Sequence, residues 1–160
     1  MPLKSLFVGL LLSLTIPTGT IAGETTMNQS AVEIPMPSSI TGQVTFLYYE
    51  DMDAAAKFYG ETLGFKETFD QGWVKFFQIA DNAFVGLVDS EKGFHKASDN
   101  KPVMLSIITK DVVKWHAYIQ TTDVKITSPL GSEAGKGLVR GFMIADPAGY
   151  TVEFFQWNKK

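Results

Sequence analysis

Cysteine is absent from this 160-residue sequence, and histidine occurs only twice. Without cysteine, the chain has no disulfide, thiolate metal site, cysteine nucleophile or lipid-modified cysteine anchor. An excess of positive charge is also lacking, since 14 basic residues against 17 acidic ones give a net charge of −3. A mildly acidic chain without a basic stripe is a poor partner for nucleic acid or an anionic membrane, so we expect neither.

The sequence also lacks an apolar run long enough to span a bilayer. Lys4 is followed by an apolar run of about a dozen residues, whereas a membrane-spanning helix needs about 20. Thr20 and Ala22 offer small residues at the positions that a signal peptidase reads. We therefore predict a cleaved signal peptide at 1–22, in preference to an uncleaved anchor, and a polar linker at 23–39. The mature protein is expected in the periplasm or outside the cell, without a membrane span.

Apolar and aromatic residues are plentiful, at 45% and 12% of the chain, which is enough for the core of one domain at 40–158. A short repeat divides this domain in two. Residues 77–83 and 142–148 agree at five of seven positions, 65 residues apart. Asp51 and Asp111, 60 residues apart, each precede a helical pattern and are predicted to cap it. The domain therefore contains two copies of one module.

Each copy has the order strand, helix, strand, strand, strand. In the first copy we predict strands at 42–49, 65–69, 73–80 and 84–88 and a helix at 53–63 that ends at Gly64. In the second copy we predict strands at 103–109, 124–127, 138–145 and 150–157 and a helix from Asp111 to Thr121. The polar segment 89–101 joins the copies. One such module leaves a sheet face unburied, so the two must pair.

Several short motifs carry a resemblance to a known family. They are Asp51, Phe58-Tyr59 and Leu63-Gly64-Phe65 in the first copy, and Asp111 and Asp146-Pro147-Ala148-Gly149-Tyr150-Thr151-Val152-Glu153 in the second. Together they resemble the vicinal oxygen chelate superfamily, which includes glyoxalase I, bleomycin-resistance proteins, fosfomycin-resistance proteins and extradiol dioxygenases. The resemblance implies an α+β fold in which two paired βαβββ modules form a curled mixed sheet around one cavity. It also implies a homodimer.

The resemblance further identifies four positions that hold a divalent ion in the metal-dependent members. Here they are Val44 and Met104 on the first strands, and Gly86 (or Val88) and Glu153 on the last strands. A catalytic metal needs about three protein ligands of the His or carboxylate kind. Only one of the four positions supplies such a ligand, so we expect no divalent metal and no other cofactor.

The two histidines are not expected to replace the missing ligands. His95 lies in the polar segment 89–101 and is predicted to be a solvated loop residue. His116 lies on the second helix, which packs on the outer face of the sheet, and is predicted to be a half-buried packing or rim residue.

Strand alternation predicts which side chains share a face with the four positions. The predicted ligand-binding residues are Val44, Phe46, Tyr48, Met104, Ser106, Ile108, Phe155 and Trp157, with Glu153 among them. The opposite parity, with Leu47, Leu105, Ile107 and Phe154, is predicted to form the core. An apolar, aromatic surface with few polar groups suits a small ligand that is flat, hydrophobic or cationic. Alternatively, these residues fill a closed cavity or form a dimer contact.

Glu153 is the candidate catalytic residue, because a solitary carboxylate among apolar side chains can serve as a general base or as a counter-ion for a cationic ligand. The alternative is a structural carboxylate that is hydrogen-bonded to Tyr48 or paired with Arg140.

Three functions follow from these patterns. The first is an exported, metal-independent protein that resembles glyoxalase and bleomycin-resistance proteins and binds a small, largely apolar or cationic molecule. The second is a lyase or isomerase resembling glyoxalase, with Glu153 as base or metal ligand. The third is a structural or interaction module whose concave face is covered by another subunit.

Overall fold

Each half of the chain builds one four-stranded sheet with a helix packed on it. The structure is a computed structural model that describes residues 39–131 and 137–158. The predicted signal peptide and all but the last residue of the predicted linker lie outside these ranges. The first half contains β1 (Gln43–Tyr49), α1 (Met52–Lys57), a π-helical turn (Phe58–Thr62), β2 (Lys66–Asp70), β3 (Val74–Ala80) and β4 (Ala83–Asp89). The second half contains β5 (Met104–Ile108), α2 (Val112–Ile119), β6 (Ile126–Ser128), β7 (Val139–Ala145) and β8 (Thr151–Trp157).

The two sheets have the same topology. Their strand orders are β1-β4-β3-β2 and β5-β8-β7-β6. In each sheet the first strand pairs in parallel with the last, and the remaining pairs are antiparallel. The sheets remain separate and are not closed into a barrel in the described part of the chain. The predicted α+β fold with two βαβββ modules is therefore confirmed.

The first helical segment begins and ends largely where the sequence predicts. The Asp51 side chain caps α1 by accepting a hydrogen bond from the backbone amide of Ala54 at 2.9 Å. Gly64, with a φ of 70°, follows the last helical turn. The π-helical turn that follows α1 was not indicated by any sequence pattern. Its wider geometry accompanies the burial of two consecutive aromatic residues, Phe58 and Tyr59.

The second helix begins differently from the prediction. The carboxylate of Asp111 does not cap α2 and instead lies 3.2 Å from the ammonium of Lys114. The backbone amide of Asp111 donates to the hydroxyl of Thr109. The backbone of Asp111, with ψ at 42°, lacks the extended conformation that a capping residue needs. In the described ranges, neither this helix nor any other has the length and apolar content to cross a bilayer.

One core serves both halves. Its buried members include the predicted core residues Leu47, Leu105, Ile107 and Phe154. The ring of Phe154 stacks between those of Trp115 and Phe142, with centroid distances of 4.7 and 5.4 Å. The half-buried His116 packs edge-on against Phe142, which confirms the predicted packing role.

A buried carboxylate links the two halves within this core. The Oδ2 atom of Asp146, in the turn before β8, accepts hydrogen bonds from the hydroxyls of Tyr49 at 2.6 Å and Tyr59 at 3.2 Å. Its Oδ1 atom accepts from the backbone amides of Ala148 and Tyr150. Burial, together with the nearby carboxylate, raises the pKa of both tyrosines above the ordinary value. The second half thus supplies a charge that hydroxyl groups of the first half satisfy.

Tyr150 provides a second link. Its hydroxyl accepts from the backbone amide of Tyr48 at 3.2 Å and lies 3.3 Å from the carbonyl oxygen of the same residue, to which it donates. The ammonium of Lys101 lies 4.6 Å from the centre of the Tyr150 ring. The edge of β1 and the end of the joining segment are therefore both held against the second half.

Candidate functional site

The predicted ligand-binding residues lie on the sheet faces that the core does not cover. Phe46 and Met104 are 46% and 45% exposed, and Ile108 and Trp157 are both 63% exposed. The other predicted residues on these faces are half-buried or exposed: Val44, Tyr48, Ser106, Glu153 and Phe155. No hydrogen bond or ring contact of the described residues joins the set on the first sheet to the set on the second. Ligand binding by these residues stays a prediction.

Strand register identifies which positions of the two halves are equivalent. Phe46 lies opposite Gly86 in the first sheet, and Ser106 lies opposite Glu153 in the second. Since Phe46 and Ser106 occupy the same place in their modules, Gly86 is the counterpart of Glu153. The alternative position, Val88, lies opposite Tyr48 instead.

Gly86 has no room for a side chain. A Cβ atom built on Gly86 would lie 2.5 Å from a ring carbon of Phe46 and 2.9 Å from Cγ1 of Val44. The phenyl ring therefore covers the place from which a metal ligand would project in this half. The close approach needs a residue without a side chain, which is the physical reason for glycine at this point of β4.

Phenylalanine side chains on the strands next to Gly86 form a row across the first sheet. Phe76 of β3 lies opposite Gly86, and Phe69 of β2 lies opposite Phe76. The ring centroids of Phe46 and Phe76 are 5.6 Å apart, and those of Phe76 and Phe69 are 4.9 Å apart. We call these three residues the phenylalanine row. Sequence reasoning missed Phe69 and Phe76, because the alternation within a strand does not reveal its register with a strand two places away.

In the second sheet, the two positions equivalent to Phe46 and Gly86 carry polar side chains. The hydroxyl of Ser106 donates to Oε2 of Glu153 at 2.7 Å, and Met143 lies opposite Glu153 on the next strand. The half-buried carboxylate is thereby held in one orientation on an open face. This hydrogen bond is charge-assisted and leaves the other carboxylate oxygen available to a ligand.

Neither predicted structural partner of Glu153 is found. Arg140 lies opposite Gln156, three residues along β8 from Glu153, and because this offset is odd its side chain emerges on the other face. Tyr48 packs its ring edge-on against that of His95, with centroids 5.3 Å apart. The ion pairs of the described residues do not include Glu153.

The donor set does not fit a divalent metal. Val44 and Gly86 offer no ligand atom, Met104 offers only a thioether sulfur that suits soft ions such as Cu(I), and Glu153 alone is a carboxylate. No cluster of three or more His, Cys, Asp or Glu side chains occurs within residues 39–131 and 137–158. Since about three protein ligands are needed, the side chains at this site cannot form a metal centre of the usual kind.

A short loop covers one end of the aromatic face, by which we mean the face of the first sheet that carries Tyr48 and the phenylalanine row. We call residues 89–96 the rim loop. His95 is exposed, as the sequence predicts, yet its ring contacts both Tyr48 and Phe94, with the latter centroid at 4.8 Å. The histidine is therefore part of the aromatic surface rather than a freely solvated residue.

Clefts elsewhere on the molecule do not involve the predicted residues. Among the clefts on the described residues, four of 420 to 510 Å³ are lined by none of the predicted ligand-binding residues. One of about 450 Å³ is lined by Glu50, Asp51, Asp99 and Lys101. The exposure of Phe46, Met104, Ile108 and Trp157 shows that these sheet faces are open surfaces, which agrees with sheets that are not closed.

Known structures share this fold. A lactoylglutathione lyase from Agrobacterium tumefaciens is 22% identical, with 75% of this chain and 94% of the other covered at a TM-score of 0.58. A glyoxalase/bleomycin resistance protein/dioxygenase from Nocardioides is 19% identical, with coverage of 80% and 88% and a TM-score of 0.62. TioX from Micromonospora sp. ML1 is 18% identical, with coverage of 74% and 99% and a TM-score of 0.61. At these identities the likeness concerns the fold alone.

Among curated proteins, no sequence matches this chain. The family model of the Glyoxalase/Bleomycin resistance protein/Dioxygenase superfamily matches residues 41–154, which is most of the chain and nearly all of the described part. With the duplicated βαβββ module and the motifs around Asp51 and Asp146, this match establishes that the chain belongs to the Glyoxalase/Bleomycin resistance protein/Dioxygenase superfamily.

Proposed function

We propose that the protein is an exported, metal-independent member of this superfamily that binds a small, largely apolar or cationic molecule on its aromatic sheet face. The observation that carries the proposal is the position of Phe46. Its ring lies over Gly86, where the first half would otherwise present a metal ligand, and it joins the phenylalanine row. A surface of exposed rings replaces a coordination site.

The chemistry of the face supports this class of ligand. Aromatic rings present a large apolar area with a negative π face, which attracts both flat apolar molecules and cations. Contiguous apolar surface of this kind on a soluble domain is typical of a binding site. Glu153, oriented by Ser106, would serve as the counter-ion for a cationic group.

The proposal predicts no stoichiometric metal in protein purified without chelators, measured by inductively coupled plasma mass spectrometry. Ligand binding is then measured with N-phenyl-1-naphthylamine, a neutral aromatic fluorophore, and with berberine, a flat aromatic cation. Phe46→Ala should weaken the binding of both probes, and Glu153→Gln should weaken that of berberine alone. Val113→Ala, on the exposed face of α2, is the control and should leave both unchanged. One equivalent of bound metal, or wild-type affinity for both probes in Phe46→Ala, would contradict the proposal.

A lyase or isomerase resembling glyoxalase is the second candidate, because Ser106 holds the carboxylate of Glu153 on an open face where a general base could meet a substrate. Formation or breakdown of lactoylglutathione, followed by absorbance, tests this activity. Turnover that is lost in Glu153→Gln while probe binding persists would favour catalysis over binding alone.

Export and pairing are the remaining parts of the proposal. The sequence features of residues 1–22 support export, and fractionation of cells should recover a shortened chain outside the cytoplasm. The exposed apolar faces support a homodimer, and sedimentation equilibrium should give twice the mass of the mature chain.

If the dimer forms and binds neither probe while Phe46→Ala dissociates it, the face is a subunit interface and the third function, an interaction module, applies.

A further inference from the structure

Hydrogen bonds within the rim loop hold its backbone in one conformation. The backbone amides of Lys92 and Gly93 donate to the carbonyl oxygen of Asp89 at 3.2 and 2.8 Å. The ammonium of Lys96 donates to the carbonyl oxygens of Ser90 and Glu91 at 2.8 and 3.0 Å. These bonds hold the tip of the loop, residues 93–95, in one orientation.

The tip lies directly on the aromatic face. A Cβ atom built on Gly93 would lie 2.5 Å from a methyl carbon of Val88 and 2.9 Å from a ring carbon of Tyr48. Val88 and Tyr48 are opposite one another in the sheet, on the same side as Phe46 and Gly86. The missing side chain of Gly93 therefore lets the backbone of the loop rest on the face that carries the proposed binding site.

Three rings extend the aromatic surface from the sheet to the tip of the loop. The centroids of Tyr48 and His95 are 5.3 Å apart, and those of His95 and Phe94 are 4.8 Å apart. Phe94 is 91% exposed, the largest exposure of any phenylalanine, tyrosine or tryptophan among residues 39–131 and 137–158. Tyr48 lies two residues after Phe46 on the same face of β1, so these rings continue the surface of the phenylalanine row outward.

We propose that Phe94 and His95 are ligand-contacting residues that make the site selective for extended aromatic molecules with two or more rings. This inference rests on the proposed binding function. A ligand with one ring can lie on the phenylalanine row alone, whereas a longer flat ligand reaches the rim loop and gains a second set of ring contacts. The exposure of Phe94 leaves its ring free to cover such a ligand.

The selectivity is tested by isothermal titration with two probes, N-phenyl-1-naphthylamine as the extended ligand and aniline as the single ring. Phe94→Ala should weaken binding of the extended probe about three- to tenfold and change aniline binding less than twofold. His95→Ala should act in the same direction with a smaller change. Since Phe94 is almost fully exposed, its replacement should leave thermal unfolding unchanged, which serves as the folding control.

Val113→Ala is again the matched control, because it removes an exposed apolar side chain on α2. If the wild type binds the extended probe and Phe46→Ala weakens it, but Phe94→Ala and His95→Ala bind like the wild type, the inference about the rim loop is overturned and the proposed function stands. If the wild type binds neither this probe nor berberine, the proposed function itself fails, and with it the inference.

Discussion

Asp146 shows how one residue can serve local and long-range structure together. An aspartate that opens a turn commonly accepts hydrogen bonds from backbone amides of the turn, and Oδ1 does so here. The second oxygen instead meets Tyr49 and Tyr59, which are 97 and 87 positions away in the chain. The turn could be predicted from the sequence. The tyrosine partners could not, because local pattern carries no information about contacts over such separations.

Asp146→Asn should destabilise the protein by about 2 to 4 kcal/mol, measured by urea unfolding. The amide carries only one oxygen, so if that oxygen keeps the two backbone amides, its NH2 group replaces the acceptor of the two tyrosine hydroxyls. The hydroxyls can accept from the NH2 group, but at least one of their own protons is then left without an acceptor in a buried place. Asp81 is the matched control, because it occupies the equivalent position of the repeated segment and is exposed. Asp81→Asn should change stability by less than about 0.5 kcal/mol. Equal losses in the two variants would show that the buried tyrosine contacts add nothing.

At the level of the elements, alternation and turn residues predicted all eight strands to within about two residues. Their bounds follow from β-branched and aromatic runs between glycine, proline and aspartate turns. The sequence did not predict local geometry that depends on how side chains pack in the folded protein. Asp111 has the residue type of a cap, but its carboxylate meets Lys114. The π-helical turn depends on the packing of Phe58 and Tyr59, which a helical pattern alone does not specify.

Gly86→Ala should destabilise the first sheet, because the new methyl group would overlap the ring of Phe46 and Cγ1 of Val44. We expect a loss of about 1 to 3 kcal/mol in the free energy of unfolding, as for other overpacked sites. Gly86 is not among the glycines with positive φ, so backbone strain makes no contribution. In the background of Phe46→Ala the same substitution should cost much less, though Val44 still limits the space.

A double-mutant cycle of these two substitutions measures the effect, with urea unfolding as the readout. A coupling energy near zero would mean that the ring of Phe46 does not lie over Gly86 in solution.

At the scale of the whole molecule, the two halves share a topology but present different faces. The first sheet carries the phenylalanine row, and the equivalent level of the second carries Ser106, Glu153 and Met143. The duplication and the two-sided pattern of each strand could be predicted from the sequence. Which side chains of different strands meet could not, because pairing register was needed to align Phe46 with Phe76 and to identify Ser106 as the partner of Glu153.

The link between the halves predicts a loss of stability in alkali. The unfolded chain releases the protons of Tyr49 and Tyr59 near pH 10, whereas in the folded state burial raises the pKa of both side chains. Above about pH 10 the folded state therefore binds more protons than the unfolded state, and the free energy of unfolding must fall as pH rises. The contribution is fully present below pH 10. The slope should approach about 2.7 kcal/mol per pH unit when both tyrosines take part.

Urea unfolding between pH 8 and pH 11 measures this slope. Tyr49→Phe and Tyr59→Phe should each remove about half of it, since each eliminates one ionisable hydroxyl, although both also lose a hydrogen bond to Asp146 and start from a lower stability at pH 8. Val113→Ala, which removes an exposed apolar side chain on α2 and no ionisable group, should keep the wild-type slope. A wild-type slope in Tyr49→Phe would mean that the hydroxyl is reached by water in the folded state. The two halves would then be held by apolar packing without this polar link.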